Sequence, residues 1–282
     1  MIQDISPSQF SNRFQPLTPM PDSSVACFVE DKLLAAYDAG SKRLLFPRWE
    51  VFSPDVHTSY AFSIDGHPYF LALENAEAPV GYQLFSIREI RDLPLSSNVD
   101  IFAAYSAYHL WKWYASSKYC GACGAAMEQD KTERAMFCPR CHSKVYPRIN
   151  PAVIVGVVHG DALLLTKYRT GFAHNALVAG FTEFGETLEE TVAREVMEEV
   201  GLRVKNIRYY KSQPWGVAAD ILTGFFCQVE GDATIRMDKN ELKYAEWVRP
   251  EDVVLQPNDY SLTNDMMKLF KAGKLKNYYQ QE

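Results

Sequence analysis

The sequence predicts a mixed α+β or α/β protein in three parts: a strand-rich N-terminal domain (residues 1–115), a small cysteine-containing module (116–147) and a C-terminal domain (148–282). Short β-rich runs separated by turn residues fill the first part. Two Cys-x-x-Cys pairs lie in the second part, and a proline-rich junction follows them. In the third part, strand-like runs surround one strongly patterned helix, which is typical of a sheet covered by helices.

The composition is that of a folded globular protein, and it excludes several classes of partner. With 282 residues, 47% hydrophobic and 23% charged, the chain can bury a sizeable core. A formal net charge of -6 disfavours general attraction to DNA or to an anionic membrane. Residues 1–17 lack the apolar core of a signal peptide, and the apolar run 152–158 is far shorter than the ~20 residues of a membrane span. We therefore expect a cytoplasmic protein with no DNA or membrane partner.

The N-terminal domain shows secondary structure but no chemical motif. Residues 32–37 and 69–73 are rich in β-forming side chains, which predicts strands. Residues 101–114 lack glycine and proline and carry aromatic side chains such as Tyr105 and Trp111 at helical spacings, so we predict a packing helix there. The strands predicted for the C-terminal domain are residues 153–158, 162–166 and 222–229.

Four of the six cysteines are paired in sequence and predict a zinc site. The proposed ligands are Cys120, Cys123, Cys138 and Cys141, whereas Cys27 and Cys227 stand alone. Four thiolates satisfy the tetrahedral preference of Zn²⁺ and leave no position for water, so the site is predicted to be structural. The gap of 14 residues between the pairs is just below the usual range of about 15 to 20. Two local disulfides, a thioredoxin-like redox pair and buried free thiols are the alternatives.

The segment with the most chemical information is a helix predicted over residues 188–200. Thr187 and Glu190 form a capping-box signature at its start, and Gly201 follows it as a stop. The predicted buried stripe consists of Val192, Val196 and Val200. Another face carries Glu195, Glu198 and Glu199. Because like charges this close repel each other, the cluster predicts a Mg²⁺ site that recruits substrate phosphates, with a solvated acidic face as the alternative.

From Gly180 to Gly201 the residues follow the pattern Gly-x5-Glu-x7-Arg-Glu-x-x-Glu-Glu-x-Gly. This pattern resembles the Nudix box of the Nudix hydrolase superfamily. The resemblance implies an α/β/α sandwich whose box glutamates hold Mg²⁺ or Mn²⁺. The residues implied as metal ligands or base are Glu195, Glu198 and Glu199, with a metal-facing carbonyl at Ala179. It further implies that Arg194 orients these carboxylates by pairing with one of them, Glu186 among the candidates, and that Gly180 and Gly185 permit the loop conformation.

The order of the three parts also resembles the NADH pyrophosphatase family, which joins a variable N-terminal domain, a four-cysteine zinc ribbon and a C-terminal Nudix domain. That family carries Ser-Gln-Pro-Trp-Pro-Phe-Pro-x-Ser after the box, and residues 212–215 match its first half. Residues 216–220, Gly-Val-Ala-Ala-Asp, replace the second half, which implies a larger or looser pocket and a negative charge in place of a hydroxyl. The implied substrate contacts are Tyr146, Phe181, Gln213, Pro214, Trp215 and Asp220, and Glu241 resembles a further metal ligand.

The resemblance implies hydrolysis of the diphosphate in NAD(H) to AMP and nicotinamide mononucleotide, with an NAD-type cap on RNA as a related substrate. ADP-ribose, FAD and other nucleotide diphosphates are alternative substrates. A non-catalytic nucleotide sensor is an alternative of another class, which the full set of box glutamates disfavours. The resemblance also implies a homodimer, and the zinc ribbon is an alternative docking surface for RNA or protein.

Overall fold

The computed structural model describes residues 1–74, 76, 79–170 and 174–275, which divide into two units. The N-terminal unit comprises residues 2–149 and 216–219, and the C-terminal unit comprises Met1, residues 150–215 and the chain from Asp220 onward. The cysteine module belongs to the N-terminal unit, and the division into three domains stays a prediction. Within the described ranges, no helix is long and apolar enough to cross a membrane.

The N-terminal unit contains two sheets of short strands besides the cysteine module. Its elements are β1 (Phe10–Ser11), β2 (Ser24–Ala26), β3 (Phe28–Val29), β4 (Lys32–Asp38), β5 (Arg43–Leu45), a 3₁₀ turn (Trp49–Val51), β6 (Thr58–Ile64), β7 (His67–Ala72), β8 (Gln83–Ser86), α1 (Ile87–Asp92) and α2 (Asn98–Ser116). One sheet has the order β1-β6-β7-β2, and in the other β4 pairs with β3, β5 and β8. The strands predicted at 32–37 and 69–73 correspond to β4 and β7. The predicted packing helix is α2, which buries most of its circumference.

The cysteine module folds as a three-stranded antiparallel sheet. Its strands are β9 (Glu128–Gln129), β10 (Met136–Phe137) and β11 (Lys144–Val145), in the order β11-β10-β9. Each strand is only two residues long, so the module buries little apolar surface of its own. A bound metal is the usual source of folding free energy in modules this small.

The C-terminal unit is built on one mixed sheet. Its elements are β12 (Asn150–His159), β13 (Ala162–Tyr168), β14 (Val178–Phe181), α3 (Leu188–Val200), β15 (Val204–Trp215), β16 (Asp220–Val229), β17 (Leu242–Val248), a 3₁₀ turn (Pro250–Asp252) and α4 (Leu262–Lys271). The strand order is β15-β16-β12-β13-β17, with β14 also paired to β12. β12 and β16 run parallel, and the other pairs are antiparallel. The three predicted strands lie within β12, β13 and β16.

Alternation of side chains along β12 gives each face of this sheet its own helix. Val153, Val155 and Val157 belong to a core cluster with α3. Ile154 belongs to the opposite cluster, with Met266 and other residues of α4. The predicted buried stripe of α3 is confirmed, because the exposed fraction is 0% at Val192, Val196 and Val200. The predicted α/β/α sandwich is confirmed as well.

Candidate active site

Local sequence determines both ends of α3. The Thr187 hydroxyl accepts a hydrogen bond from the Glu190 N–H at 3.2 Å, and the Glu190 carboxylate accepts one from the Thr187 N–H at 2.7 Å. This exchange satisfies N–H groups that the first turn of a helix leaves open. At the other end Gly201 has a left-handed φ of 68° and donates to the Met197 carbonyl at 3.0 Å. The predicted bounds and caps of the helix are confirmed.

Arg194 gathers the carboxylates of α3 and of the loop before it. Its Nε and Nη2 donate to the two oxygens of Glu186 at 2.6 and 3.0 Å, so Glu186 is the candidate that forms the bidentate pair implied by the resemblance. Its Nη1 donates to Glu195 at 2.7 Å and to Glu198 at 3.0 Å. Nη2 also donates to the Phe181 carbonyl at 2.8 Å. The hydrogen bonds from Arg194 to Glu186 lower the pKa of Glu186 to about 2. One guanidinium group therefore contacts three carboxylates and the end of β14.

Gly180 of β14 makes room for Glu195. A Cβ at Gly180 would lie 2.0 Å from the carboxyl carbon of Glu195, well inside any allowed contact. Gly180 lies within a strand, so the loop conformation implied for it is wrong, and its lack of a side chain is what the site requires. Gly185 does adopt a left-handed φ, 86°, in the loop before α3.

Glu199 is a buried carboxyl with one unsatisfied oxygen. It is 2% exposed, and its Oε1 accepts hydrogen bonds from the Tyr168 hydroxyl at 3.2 Å and the Ala179 N–H at 3.4 Å. Its Oε2 has no hydrogen-bond partner in the described part of the chain. Burial raises the pKa of Glu199 to about 8, and the negative charges of Glu195 and Glu241 act in the same direction.

The other carboxylates differ in exposure. The Glu195 side chain is 12% exposed, and burial raises its pKa. The Glu198 side chain is 60% exposed. Glu241 is exposed in the turn before β17, and its charge raises the pKa values of both Glu195 and Glu199. The cluster therefore has a buried side, formed by Glu195 and Glu199, and an accessible side, formed by Glu198 and Glu241.

This donor set fits a hard divalent cation such as Mg²⁺ or Mn²⁺. Such ions prefer carboxylate and carbonyl oxygens, and a nearby cation would offset the burial that raises the pKa values of Glu195 and Glu199. The unsatisfied Oε2 of Glu199 is an available ligand atom. The groups that could hold a cation are Glu195, Glu198, Glu199, Glu241 and the Ala179 carbonyl.

The four sulfurs of the cysteine module lie within 4.8 Å of one another. The Sγ atoms of Cys120 and Cys141 are 3.5 Å apart, as are those of Cys123 and Cys138. Zn–S bonds of about 2.3 Å in a tetrahedron separate the sulfurs by roughly 3.8 Å, whereas a disulfide is about 2.05 Å long. The cysteines therefore form no disulfide and lie in a zinc-like arrangement, and the alternative of local disulfides is wrong.

Comparison with known proteins agrees with both sites. The model of the NUDIX domain matches residues 148–270, and that of the NADH pyrophosphatase zinc ribbon domain matches residues 115–146. A protein named NAD-capped RNA hydrolase NudC from Shigella flexneri is 42% identical over 197 residues, which cover 68% of this chain and 72% of that protein. This chain is a Nudix hydrolase of the NADH pyrophosphatase family. Its likeness to the protein of the same name from Citrobacter koseri is 37% identity over 222 residues, covering 77% of this chain and 76% of that protein.

One solved structure, a Nudix hydrolase from Nitrosomonas europaea, aligns with a TM-score of 0.49 and 20% identity, over 58% of this chain and 94% of that one.

Residues 212–215 of this Nudix hydrolase, which match the family signature, include both buried and exposed side chains. Gln213 is 0% exposed, and its amide donates to the Tyr260 carbonyl at 2.8 Å and accepts from the Leu262 N–H at 2.7 Å. These bonds fix the start of α4 to β15. Pro214 is exposed and Trp215 is half-buried. The substrate contacts of these three residues stay predictions, and Gln213 is inaccessible to a ligand in this conformation.

The replaced half of the signature forms a turn over residues 216–219. A Cβ at Gly216 would lie 2.1 Å from the backbone oxygen of Tyr105 in α2. The turn is therefore tightly packed against α2 at this point, where the resemblance implied loosening. Asp220, the next residue, is 6% exposed and its Oδ1 has no partner among the described residues. Burial raises its pKa to about 6, so the negative charge implied here develops fully only above that pH.

Two aromatic side chains expected to contact substrate are accessible. Phe181 ends β14 next to Gly180 and is 51% exposed. Tyr146 belongs to the N-terminal unit, is 53% exposed and donates its hydroxyl to Glu133 at 3.2 Å. Their contacts with a substrate stay predictions.

Tyr168 is a site residue that the sequence did not reveal. It ends β13, and its hydroxyl lies 3.2 Å from Glu199 and 3.4 Å from the Ala179 carbonyl oxygen. It therefore contacts two of the groups expected to hold the metal. No local motif could have signalled this, because only the tertiary structure brings the end of β13 beside α3.

Proposed function

We propose that this Nudix hydrolase cleaves the diphosphate of NAD(H), free or as the 5′ cap of an RNA, and releases nicotinamide mononucleotide. The second product is AMP from the free dinucleotide and a 5′-monophosphate RNA from the capped chain. The observation that carries this proposal is the largely buried pair Glu195 and Glu199, which contacts β14 at Gly180 and Ala179. The exposed ring of Phe181 follows directly in the same strand. The names of the relatives and the match at residues 212–215 support the choice of substrate.

Each carboxylate has a distinct task in this proposal. When bound, Mg²⁺ or Mn²⁺ activates water and neutralises the diphosphate. Its ligand atoms would come from Glu195, Glu199, Glu241 and the Ala179 carbonyl. Glu198 is exposed, so it can support the metals or accept the proton of the attacking water and pass it to solvent.

Arg194 and Phe181 hold the reacting parts in position. The guanidinium of Arg194 bonds Glu186, Glu195 and Glu198, so it offsets the repulsion among carboxylates before substrate arrives. Such preorganisation means that little rearrangement is needed during the reaction. The exposed ring of Phe181 offers a stacking surface for the nicotinamide or adenine base.

Steady-state assays on a substrate panel test this proposal. Purified protein in Mg²⁺ or Mn²⁺ is given NADH, NAD-capped RNA, ADP-ribose and FAD, and the products are identified by mass spectrometry. We expect the highest kcat/KM for NADH or NAD-capped RNA, and a loss of at least about 100-fold in Glu199→Gln. Glu189→Gln is the matched control, because Glu189 lies exposed in the first turn of the same helix.

Other outcomes assign the protein differently. Glu199-dependent cleavage of ADP-ribose or FAD, with NADH inert, would retain the hydrolase and replace its substrate. Tight binding of these compounds with no cleavage of any would favour the non-catalytic sensor. Equal weak turnover of the whole panel would remove the NAD(H) assignment.

We also propose that the protein is a homodimer, which rests on the family resemblance alone. Light scattering of the purified chain gives the mass in solution. A mass near 32.1 kDa at assay concentrations would refute the dimer.

A further inference from the structure

A cleft in the N-terminal unit is a further candidate site. It encloses about 1000 Å³, at the upper end of the range of roughly 300 to 1000 Å³ for small-molecule sites. Its walls come from residues 14–17, the start of β6, the two residues after β7, the C-terminal end of α2, the segment that includes β9, and Met136 of β10. None of the carboxylates of the active site lines it. The cleft therefore needs an explanation that the hydrolase activity does not give.

Four aromatic side chains line this cleft: Phe14, Tyr60, Trp111 and Tyr114. Trp111 is half-buried and stacks on Phe28, with ring centroids 4.9 Å apart and planes 28° apart. Tyr114 is held by its hydroxyl, which lies 3.1 Å from the Ser59 hydroxyl. Phe14 lines the cleft from the N-terminal segment and is half-buried. Fixed rings of this kind bind planar heterocycles by stacking.

Two lysines without acidic partners line the same space. Lys118 and Lys131 are exposed, and their ammonium groups form no ion pair or hydrogen bond within the described part of the chain. These two groups are suited to an anion, because ammonium groups are common partners of phosphate oxygens.

Three carboxylates line the cleft; Glu128 is exposed, whereas Asp130 and Glu74 are already hydrogen-bonded. Asp130 pairs with the Lys144 Nζ at 2.7 Å and accepts two hydrogen bonds from Thr132. Glu74 accepts from the His57 N–H at 3.1 Å. The remaining acceptor positions of these carboxylates can receive hydroxyl or amino groups of a ligand, while the two lysines stay available for a phosphate.

We propose that this cleft binds a nucleotide. The rings of Trp111 and Phe14 receive the base, the carboxylates receive the sugar hydroxyls, and Lys118 and Lys131 receive the phosphate. Inorganic phosphate would use only the lysines, and an apolar molecule would leave the charged groups without partners. Only a ligand with a planar base, hydroxyls and a phosphate uses all three.

Two sources supply such a ligand. One is a free mononucleotide such as AMP. The other is a nucleotide in the body of a capped RNA, and this second source alone rests on the proposed function. Calorimetric titration separates them, with AMP, a 5′-monophosphate RNA hexamer and inorganic phosphate as probes. The protein is the full-length, zinc-loaded Glu199→Gln variant, so that no probe is consumed.

The cleft is tested by the double variant Lys118→Glu/Lys131→Glu. We expect AMP or the hexamer to bind a site whose affinity falls at least about tenfold in this variant. The matched control is Lys205→Glu/Lys274→Glu, which makes the same charge change at two exposed lysines of the C-terminal unit and should leave that affinity unchanged. Phe181→Ala marks binding at the active site instead.

The outcomes are distinct. A lysine-dependent site that binds AMP supports a free mononucleotide, and one that binds only the hexamer supports the RNA body. Binding that depends on Phe181 alone, no binding of either nucleotide probe, or inorganic phosphate binding as tightly as AMP would overturn the proposal. With native Glu199, the lysine variant should turn over NADH at the unaltered rate, so a failed cleft leaves the hydrolase assignment intact.

Discussion

The cysteine cluster and the carboxylate cluster differ in how closely their ligand atoms approach one another. The four cysteine sulfurs lie within 4.8 Å of one another, and within the described ranges no carboxylate group of three or more closes in this way. The cysteines are gathered by two short turns, whereas the carboxylates are gathered by β13, β14, α3 and the loop before it. A closed set of thiolates leaves no position for substrate, while an open set of oxygens leaves ligand positions for water and phosphates. Closure therefore distinguishes the structural ion from the reacting one.

The largest expected effect follows from opening the closed cluster. Cys138→Ser should release zinc and unfold the module, with a loss of at least about 3 kcal/mol of stability, because zinc binding contributes roughly 10 kcal/mol in small modules. Thermal denaturation and zinc content by atomic absorption measure the two changes. Cys227→Ala is the control, since this buried thiol lies in the core of the C-terminal unit and should leave the zinc content unchanged. A Cys138→Ser protein with full zinc and an unaltered Tm would contradict the comparison.

A pH effect on stability should follow from the burial of Glu199. Its pKa rises from 4.5 to about 8 on folding, so the folded state holds a proton that the unfolded state releases. Its contribution is fully present below about pH 4.5 and is lost as pH rises through 8, with a slope of up to about 1.4 kcal/mol per pH unit. Denaturation of zinc-loaded protein without added Mg²⁺ or Mn²⁺ measures this. Glu199→Gln should reduce the slope by the contribution of Glu199, and identical pH profiles for the two proteins would refute it.

The open cluster should be sensitive to small displacements. Gly180→Ala would push the Glu195 carboxylate aside, because the added Cβ lies 2.0 Å from it. Displacement of a catalytic group by about 1 Å can cost on the order of 100-fold, so we expect kcat/KM to fall by that amount with a small change in Tm. Gly185→Ala should instead cost about 1 kcal/mol of stability through its left-handed φ of 86°. If both variants lost activity equally, the close contact with Glu195 would not be the cause.

The smallest effect is expected at Tyr168. Tyr168→Phe removes one hydroxyl that contacts both Glu199 and the Ala179 carbonyl. Groups that orient metal ligands typically contribute at least about tenfold to metal affinity, so Mn²⁺ binding followed by electron paramagnetic resonance should weaken by that factor. Tyr210→Phe is the control, because its hydroxyl bonds Asp265 near α4. Unaltered Mn²⁺ affinity in Tyr168→Phe would show that the carboxylates hold their geometry without it.

Features with local causes could be predicted from the sequence. The bounds of α3 depend on Thr187, Glu190 and Gly201, which act within one turn of the helix ends. The cysteine cluster depends on two turns of four residues, and the valine stripe depends on a helical period. Each of these causes acts between residues that are close in the sequence, so pattern and spacing are sufficient.

Features that depend on distant segments could not be predicted. The roles of Tyr168, Gly180 and Gly216 depend on contacts between elements that are distant in the sequence. Residue spacing in the sequence does not predict such contacts. Gly180 was interpreted as a loop residue because glycine in a motif is most often needed for its backbone freedom. The structure shows the other reason, which is that a neighbouring side chain occupies the space of a Cβ.

The buried amide of Gln213 has a consequence for how diagnostic motifs are used. Its side chain forms hydrogen bonds with the Tyr260 carbonyl and the Leu262 N–H, and these bonds hold the start of α4 against β15. Part of the family signature is therefore structural in this chain. Residues 212–215 match the signature, and the five residues after them differ from it. A motif search that requires the whole signature would overlook proteins of this kind. A search for the first four residues alone would detect the fold without identifying the substrate.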